Sequence, residues 1–246
     1  MTQAVASEQR PLSEVARVVD TFVAPSKTFA DIRRSASWWL PFVLAVIVSI
    51  FFSAAAGKTI GWETMAQQNI AKNHFAADRI NSLPKDQQAI AYENAGKQTK
   101  IISYAFPVLI IIFALIISLL WWASLNFGLG ARAKYSQILA VYFYAGLPKL
   151  IIYVLAAILL YAGVGLDNFD MQNPVGTNLG YYLPATSPAL RAAGSFIDIF
   201  GLWALALAVI GTAIVTGKKY SQTAIVVVGW WILGLILATA AAAFTA

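Results

Sequence analysis

The sequence predicts an all-α integral membrane protein: five transmembrane helices, a cytoplasmic N-terminal amphipathic helix and a short helical outer loop. Three observations carry this. Of 246 residues, 59% are hydrophobic and only 11% are charged, and the mean hydropathy is +0.69, a balance foreign to soluble domains. Positions 35–57, 101–131, 199–217 and 220–246 hold no Asp, Glu, Lys or Arg, and runs of that length cross a bilayer. The chain has no Cys and one His, which removes thiol nucleophiles, disulfides, zinc fingers and multi-histidine metal sites. The net charge of +6 comes with no basic soluble domain to hold nucleic acid, so the Lys and Arg residues read as topology signals.

Residues 1–37 form the first unit. Leu12, Val15, Ala16, Val19, Phe22 and Val23 recur at the spacing of one helical face, with Glu14, Arg17 and Asp20 elsewhere, an amphipathic helix. Pro25 breaks it, Ser26 can cap a second short helix, and Phe29 and Ile32 continue the apolar stripe beside Lys27, Arg33 and Arg34. Such a helix lies on the cytoplasmic leaflet with its basic residues at anionic headgroups, or packs on the bundle's own cytoplasmic face. The sequence leaves both open. Deleting residues 1–34 is expected to leave the spans inserted.

Residues 38–246 form the membrane domain. The first span, about 38–56, opens with Trp38 and Trp39 at the interface and Pro41 in a first turn that spares its N–H. Ala54 to Ala56 resemble a cleavage site, but the preceding segment is too long for a signal peptide's n-region. The loop 57–100 balances six basic residues against four acidic ones, and Pro84 can open a helix running through Tyr92 into the second span, about 101–127. His74 has no second ligand at metal spacing. The third span, about 138–164, is interrupted by Pro148 and Lys149, and its halves are each too short to cross. Pro174, Pro184 and Pro188 mark the next loop as irregular, and the fourth and fifth spans cover about 197–215 and 223–244.

Orientation follows from the short connections. Arg10, Arg17, Lys27, Arg33 and Arg34 precede the first span, Arg132 and Lys134 follow the second, and Lys218 and Lys219 follow the fourth, against Arg191 alone in the 165–196 loop. The N-terminus is therefore cytoplasmic and the C-terminus outside. Lys134-Tyr135-Ser136-Gln137 recurs as Lys219-Tyr220-Ser221-Gln222, each before a span, which reads as a parallel duplication or as the chance likeness of two inner-face turns.

The segment Phe22 to Phe29, the stretch Ala145-Gly146-Leu147-Pro148, and Trp203 to Gly211 followed by Lys218 to Ala224 resemble the Yip domain family (Ypt- and Rab-interacting proteins), particularly its bacterial branch. The likeness spans about 20–240. It implies five spans, a cytoplasmic N-terminus and, for a bacterial-type member, the inner (plasma) membrane. Eukaryotic relatives bind lipid-modified small GTPases in vesicle traffic. Here Thr21-Phe22-Val23-Ala24-Pro25 stands where they carry Asp-Leu-Tyr-Gly-Pro, so the resemblance does not carry the GTPase partner over.

Lys149 is the candidate intramembrane site, with Pro148 beside it and Tyr142, Tyr144 and Tyr153 near in sequence. A charge inside a span costs about 2.5–3.5 kcal/mol on insertion scales and marks either function or a lysine snorkelling to headgroups. Asp198 is a weaker candidate at the outer end of the fourth span. No nucleotide fingerprint, zinc-protease motif or pair of buried aspartates occurs. The sequence therefore indicates no enzyme, cofactor or metal. The small residues Ala204, Ala208 and Thr212, with Gly234, Ala238 and Ala242, allow close helix approach, mostly within the chain, with homo-oligomerisation as the minority reading. The leading reading is a non-enzymatic protein that organises membrane or recruits a cytoplasmic partner through Phe22, Pro25, Phe29, Arg33 and Arg34. The rival is a small transporter or channel around Lys149.

Overall fold

The computed structural model describes residues 11–166, 169–184 and 186–244; Arg10 and the C-terminal Ala246 lie outside them. Eleven α-helices occur among these residues: α1 Glu14–Val23, α2 Pro25–Arg34, α3 Trp39–Thr59, α4 Trp62–Ala71, α5 His74–Asn81, α6 Lys85–Ala123, α7 Tyr135–Ala145, α8 Leu147–Tyr161, α9 Pro188–Ser195, α10 Ile199–Thr216 and α11 Tyr220–Phe244. Five stretches are long and apolar enough to cross a membrane: α3, α6 with the π-helical turn Ser124–Gly128, α7 with α8, α10 and α11. The protein is a multi-pass integral membrane protein of all-α fold.

Local chemistry explains the boundaries. Ser13 Oγ accepts the Ala16 N–H and caps α1. α2 starts at Pro25, one residue before the expected cap at Ser26, because a first-turn proline lacks only an N–H that would go unbonded. α6 runs unbroken from the loop through the second span, continuous as Pro84 suggests. Pro107 sits inside it and cannot donate to the Ser103 carbonyl one turn back; Ser53 Oγ on α3 donates to that oxygen instead, at 3.2 Å. The third span is two helices that break at Gly146, just ahead of Pro148. α10 ends on Gly217, whose φ of 68° is a left-handed stop suited to glycine. The 165–196 loop is less irregular than its prolines suggest, since Pro188 opens α9, which packs on α11.

The echoed tetrapeptide has a local cause. Gln137 Oε1 accepts the Lys134 N–H at 2.9 Å, and Gln222 Oε1 accepts the Lys219 N–H at 3.2 Å. Both are the back-bond of a helix-start motif, in which the third helical residue satisfies the cap's amide. The repeat is thus accounted for by two helices that begin the same way.

Packing centres on α7, α8 and α10. α3 packs on α8 and α6, α6 on α7, and α10 on α7, α8, α2 and α11. α11 is peripheral, with Thr223 and Val227 its buried residues. Two aromatic levels bracket the hydrocarbon. At one, Trp38 stacks on Phe143 at 5.3 Å and Trp121 meets Tyr142 at 5.7 Å. At the other, Trp62 meets Tyr104 at 5.6 Å and Lys58 lies over Tyr161 at 5.9 Å. Along the helices, Tyr104 to Trp121 and Phe143 to Tyr161 each span about 26 Å and Trp38 to Lys58 about 30 Å, the thickness of a bilayer's apolar core. Beyond the first level, α7 buries Ile138, Leu139, Ala140 and Val141 in succession. A helix buried all round needs protein on every side, and α2, α6 and α10 supply it.

Candidate functional site

The N-terminal segment folds as a helical hairpin whose second helix packs on α10 and α7. Phe29 and Ile32 are fully buried. Phe29 lies against Val141 and Gly211, where a Cβ on Gly211 would come within 2.8 Å of the ring, so this approach requires glycine. At the turn, Phe22 meets Trp203 edge-on at 5.7 Å, and Gln137 donates to the Arg33 carbonyl at 3.0 Å.

The two helices of the hairpin are joined through a buried arginine. Arg17 is 2% exposed and its guanidinium contacts Asp31 at 2.6 Å and Glu14 at 3.2 Å. Its carbonyl accepts the hydroxyls of Thr21 and Thr28, and Tyr144 of α7 donates to Glu14 at 2.8 Å. Arg34 adds a second contact to Asp31 at 2.6 Å. Burial pushes the Asp31 carboxyl up, but the hydrogen bonds from Arg34 and Arg17 outweigh it and hold the group below the usual carboxylate range.

With the polar side of α1 turned inward, its apolar stripe faces out: Val15, Val19 and Val23 are 67%, 53% and 73% exposed. Of the five residues expected to meet a partner or lipid, Arg33 and Arg34 are exposed, Phe22 and Pro25 are half-buried, and Phe29 is in the core. Phe29 therefore offers no surface in this conformation. Deleting residues 1–34 would also strip Phe29 and Ile32 from the core around Val141, Tyr144 and Leu207. Nothing in the sequence pattern singles out Arg17, because a charge on an amphipathic helix's polar face reads as solvated.

At the second candidate, Pro148 is buried and Lys149 is exposed. Lys149 shares a helical face with Tyr153, Ala156 and Leu160. The last two are buried against Phe52 and Ala55, while Val154 and Ile158 on the opposite face look outward. Lys149 thus projects from the inward face with part of its surface uncovered by protein. No ion pair among the described residues includes it, although it and Tyr153 lie within electrostatic reach of Asp198. Asp198 caps α10 by accepting the Gly201 N–H at 2.7 Å and receives the Thr177 hydroxyl. Tyr142 and Tyr144 face other parts of the core. His74 is exposed at the start of α5, and no group of three or more metal-ligating side chains stands together among the described residues.

A third cluster ties the loops together at the far end. Asp170 is 8% exposed and pairs with Lys72 at 2.9 Å and Arg191 at 2.6 Å. Burial would raise its carboxyl, but the Lys72 contact and the Gln172 N–H hold it below the usual range.

Comparison with known families adds one finding: the model of the Yip1 domain matches residues 19–241. Among curated proteins and solved structures, none matches the chain.

Proposed function

Because the chain belongs to the Yip1 domain family, we propose that it is a non-enzymatic membrane protein that organises membrane or recruits a partner at the face carrying its N-terminal hairpin. The observation that supports this is the outward stripe of Val15, Val19 and Val23 on a helix whose other side is fixed to the bundle. A docked hairpin presents that stripe without ordering cost at the moment of contact. Lys27, Arg33 and Arg34 of α2 are exposed as well. With Arg132, Lys134, Lys218 and Lys219 they make this end basic, and it is the cytoplasmic end of a bacterial inner-membrane protein in our reading. The departure from the Asp-Leu-Tyr-Gly-Pro motif directs the search to partners other than lipid-modified GTPases.

The test is V15N/V19N/V23N in the full chain, which alters the stripe and leaves Phe29 and Ile32 in place. Cross-linked partners recovered with the native protein should be lost from this variant while its melting temperature holds. R33E/R34E separates the two uses of the surface: attachment to an anionic leaflet weakens by about 1 kcal/mol per charge and depends on salt, whereas a protein contact through the valines does not. Unchanged partners and phenotype in both variants would place the function in the span bundle.

The electrostatic reach of Lys149 and Tyr153 to Asp198 supports one second reading, a solute or proton pathway through these three residues. Lys149→Met should then abolish a solute- or proton-linked signal in reconstituted vesicles with expression unchanged. A tolerated or stabilised variant returns Lys149 to a snorkelling role.

A further inference from the structure

Between α3, α6 and α8 lies a cavity of about 250 Å³. Ala45, Ser49, Phe52 and Ser53 of α3 form one wall, Ser103, Phe106 and Ile110 of α6 a second, and Leu150 and Tyr153 of α8 the back. Its position is set by the aromatic levels. Ser103 adjoins Tyr104 at the level away from the basic end, and Ile110 lies about 10 Å deeper along α6. The cavity therefore runs from the ester region of that leaflet toward the midplane. Its outer wall is thin, because Phe106 lines it and is also 40% exposed to the surroundings.

The chemistry of the walls is graded. The deep end, with Ala45, Ile110 and Leu150, is apolar. The shallow end has the hydroxyls of Ser53 and Ser103: Ser53 is engaged with the Ser103 carbonyl that Pro107 leaves free, but Ser103 Oγ donates no hydrogen bond among the described residues; Tyr153, within a turn of Leu150 and about 12 Å along α8 from Tyr161, stands deeper. In a hydrocarbon medium an unused hydroxyl is costly. An apolar cavity stays dry and takes apolar guests of matching size.

We propose that this cavity holds one acyl chain of a phospholipid from the leaflet opposite the basic end, its tail in the apolar depth and an ester oxygen accepting a hydrogen bond from Ser103. The occupant is a lipid because the cavity lies within the bilayer's apolar thickness behind a lipid-facing wall, and because the Ser103 hydroxyl stands where ester oxygens lie. The site is separate from the hairpin surface, so either assignment can fail without the other.

The test uses the full chain in nanodiscs of phosphatidylethanolamine and phosphatidylglycerol, doped with a phosphatidylcholine carrying a diazirine on one acyl chain. After photolysis, adducts should map to the buried Ser49 and Phe52 as well as to outward residues such as Phe106, Val108 and Ile112. Ser49→Leu fills the cavity with an apolar side chain suited to the span and should abolish the inner adducts while sparing the outer ones. Ser103→Ala, which removes the hydroxyl and keeps the helix, should reduce inner labelling several-fold and lower by about one the number of phospholipids retained in native mass spectra. Labelling confined to outward residues in the native protein, or inner labelling unchanged in both variants, would overturn the assignment; so would a cavity that exchanges water but retains no lipid.

Discussion

At the residue scale, Phe29 and Arg17 decide whether the hairpin stays docked. Truncating a well-packed buried phenylalanine costs about 3–5 kcal/mol, so Phe29→Ala should lower the melting temperature in detergent strongly, while Val15→Ala, at an exposed position, should barely move it. Gly211→Leu should reproduce the loss, since its side chain would occupy the space of the Phe29 ring. A small effect of both would mean that the hairpin docks in some other way. Asp31 makes the docking acid-sensitive. Its folded carboxyl is held below the ordinary value, so its contribution is complete above about pH 4 and is lost as the pH falls through the depressed folded value. Protease protection of residues 11–34 should therefore persist from pH 7 to about pH 4 and decline below, and Asp31→Asn should show weakened protection already at pH 7. Equal protection of native and D31N protein across that range would remove Asp31 from the latch.

At the element scale, the two glutamines of the echoed tetrapeptide offer a matched pair. Each satisfies a cap amide, a role worth about 1 kcal/mol, but Gln137 also donates to the Arg33 carbonyl whereas the Gln222 side chain bonds only its cap among the described residues. Gln137→Ala should thus destabilise more than Gln222→Ala in thermal melts, and the difference should vanish once Phe29→Ala has loosened the hairpin. Equal losses in the native background would mean that the Arg33 contact contributes nothing. These elements also show what the sequence can reveal. All five spans, the helix continuing from Pro84 and the break at Pro148 follow from hydropathy, charge-free runs and proline chemistry, which act over one or two turns. The inward turn of Arg17, the union of Asp170 with Lys72 and Arg191, and the α3–α6–α8 cavity depend on residues as many as 98 positions apart in the ion pairs alone, and one helix's periodicity carries no trace of them. The amphipathic pattern of α1 was legible, but not which side would face protein: Val15, Val19 and Val23 look outward because α2 offers Asp31 and Thr28 to the polar side.

At the scale of the whole molecule, the helices divide into a lipid-facing belt and a cap. Between the aromatic levels α8 exposes Val154, Leu155 and Ile158, while past the Trp38 level α7 is enclosed. The cap gathers Arg33, Arg34, Arg132, Lys134, Lys218 and Lys219 around one end, and the retention of positive charge on the cytoplasmic side would orient the molecule with that end inward. Five crossings then set the two ends of the described chain on opposite sides. Ser136 and Ser221 stand in the first turns of α7 and α11, and Ser82 follows α5 at the far end. With no native cysteine to interfere, S136C and S221C in right-side-out vesicles should resist a membrane-impermeant maleimide until the membrane is opened, and S82C should react at once. Immediate labelling of S136C or S221C would reverse the orientation, and labelling of only one of the pair would break the five-span count, because both positions precede a span that leaves the same face.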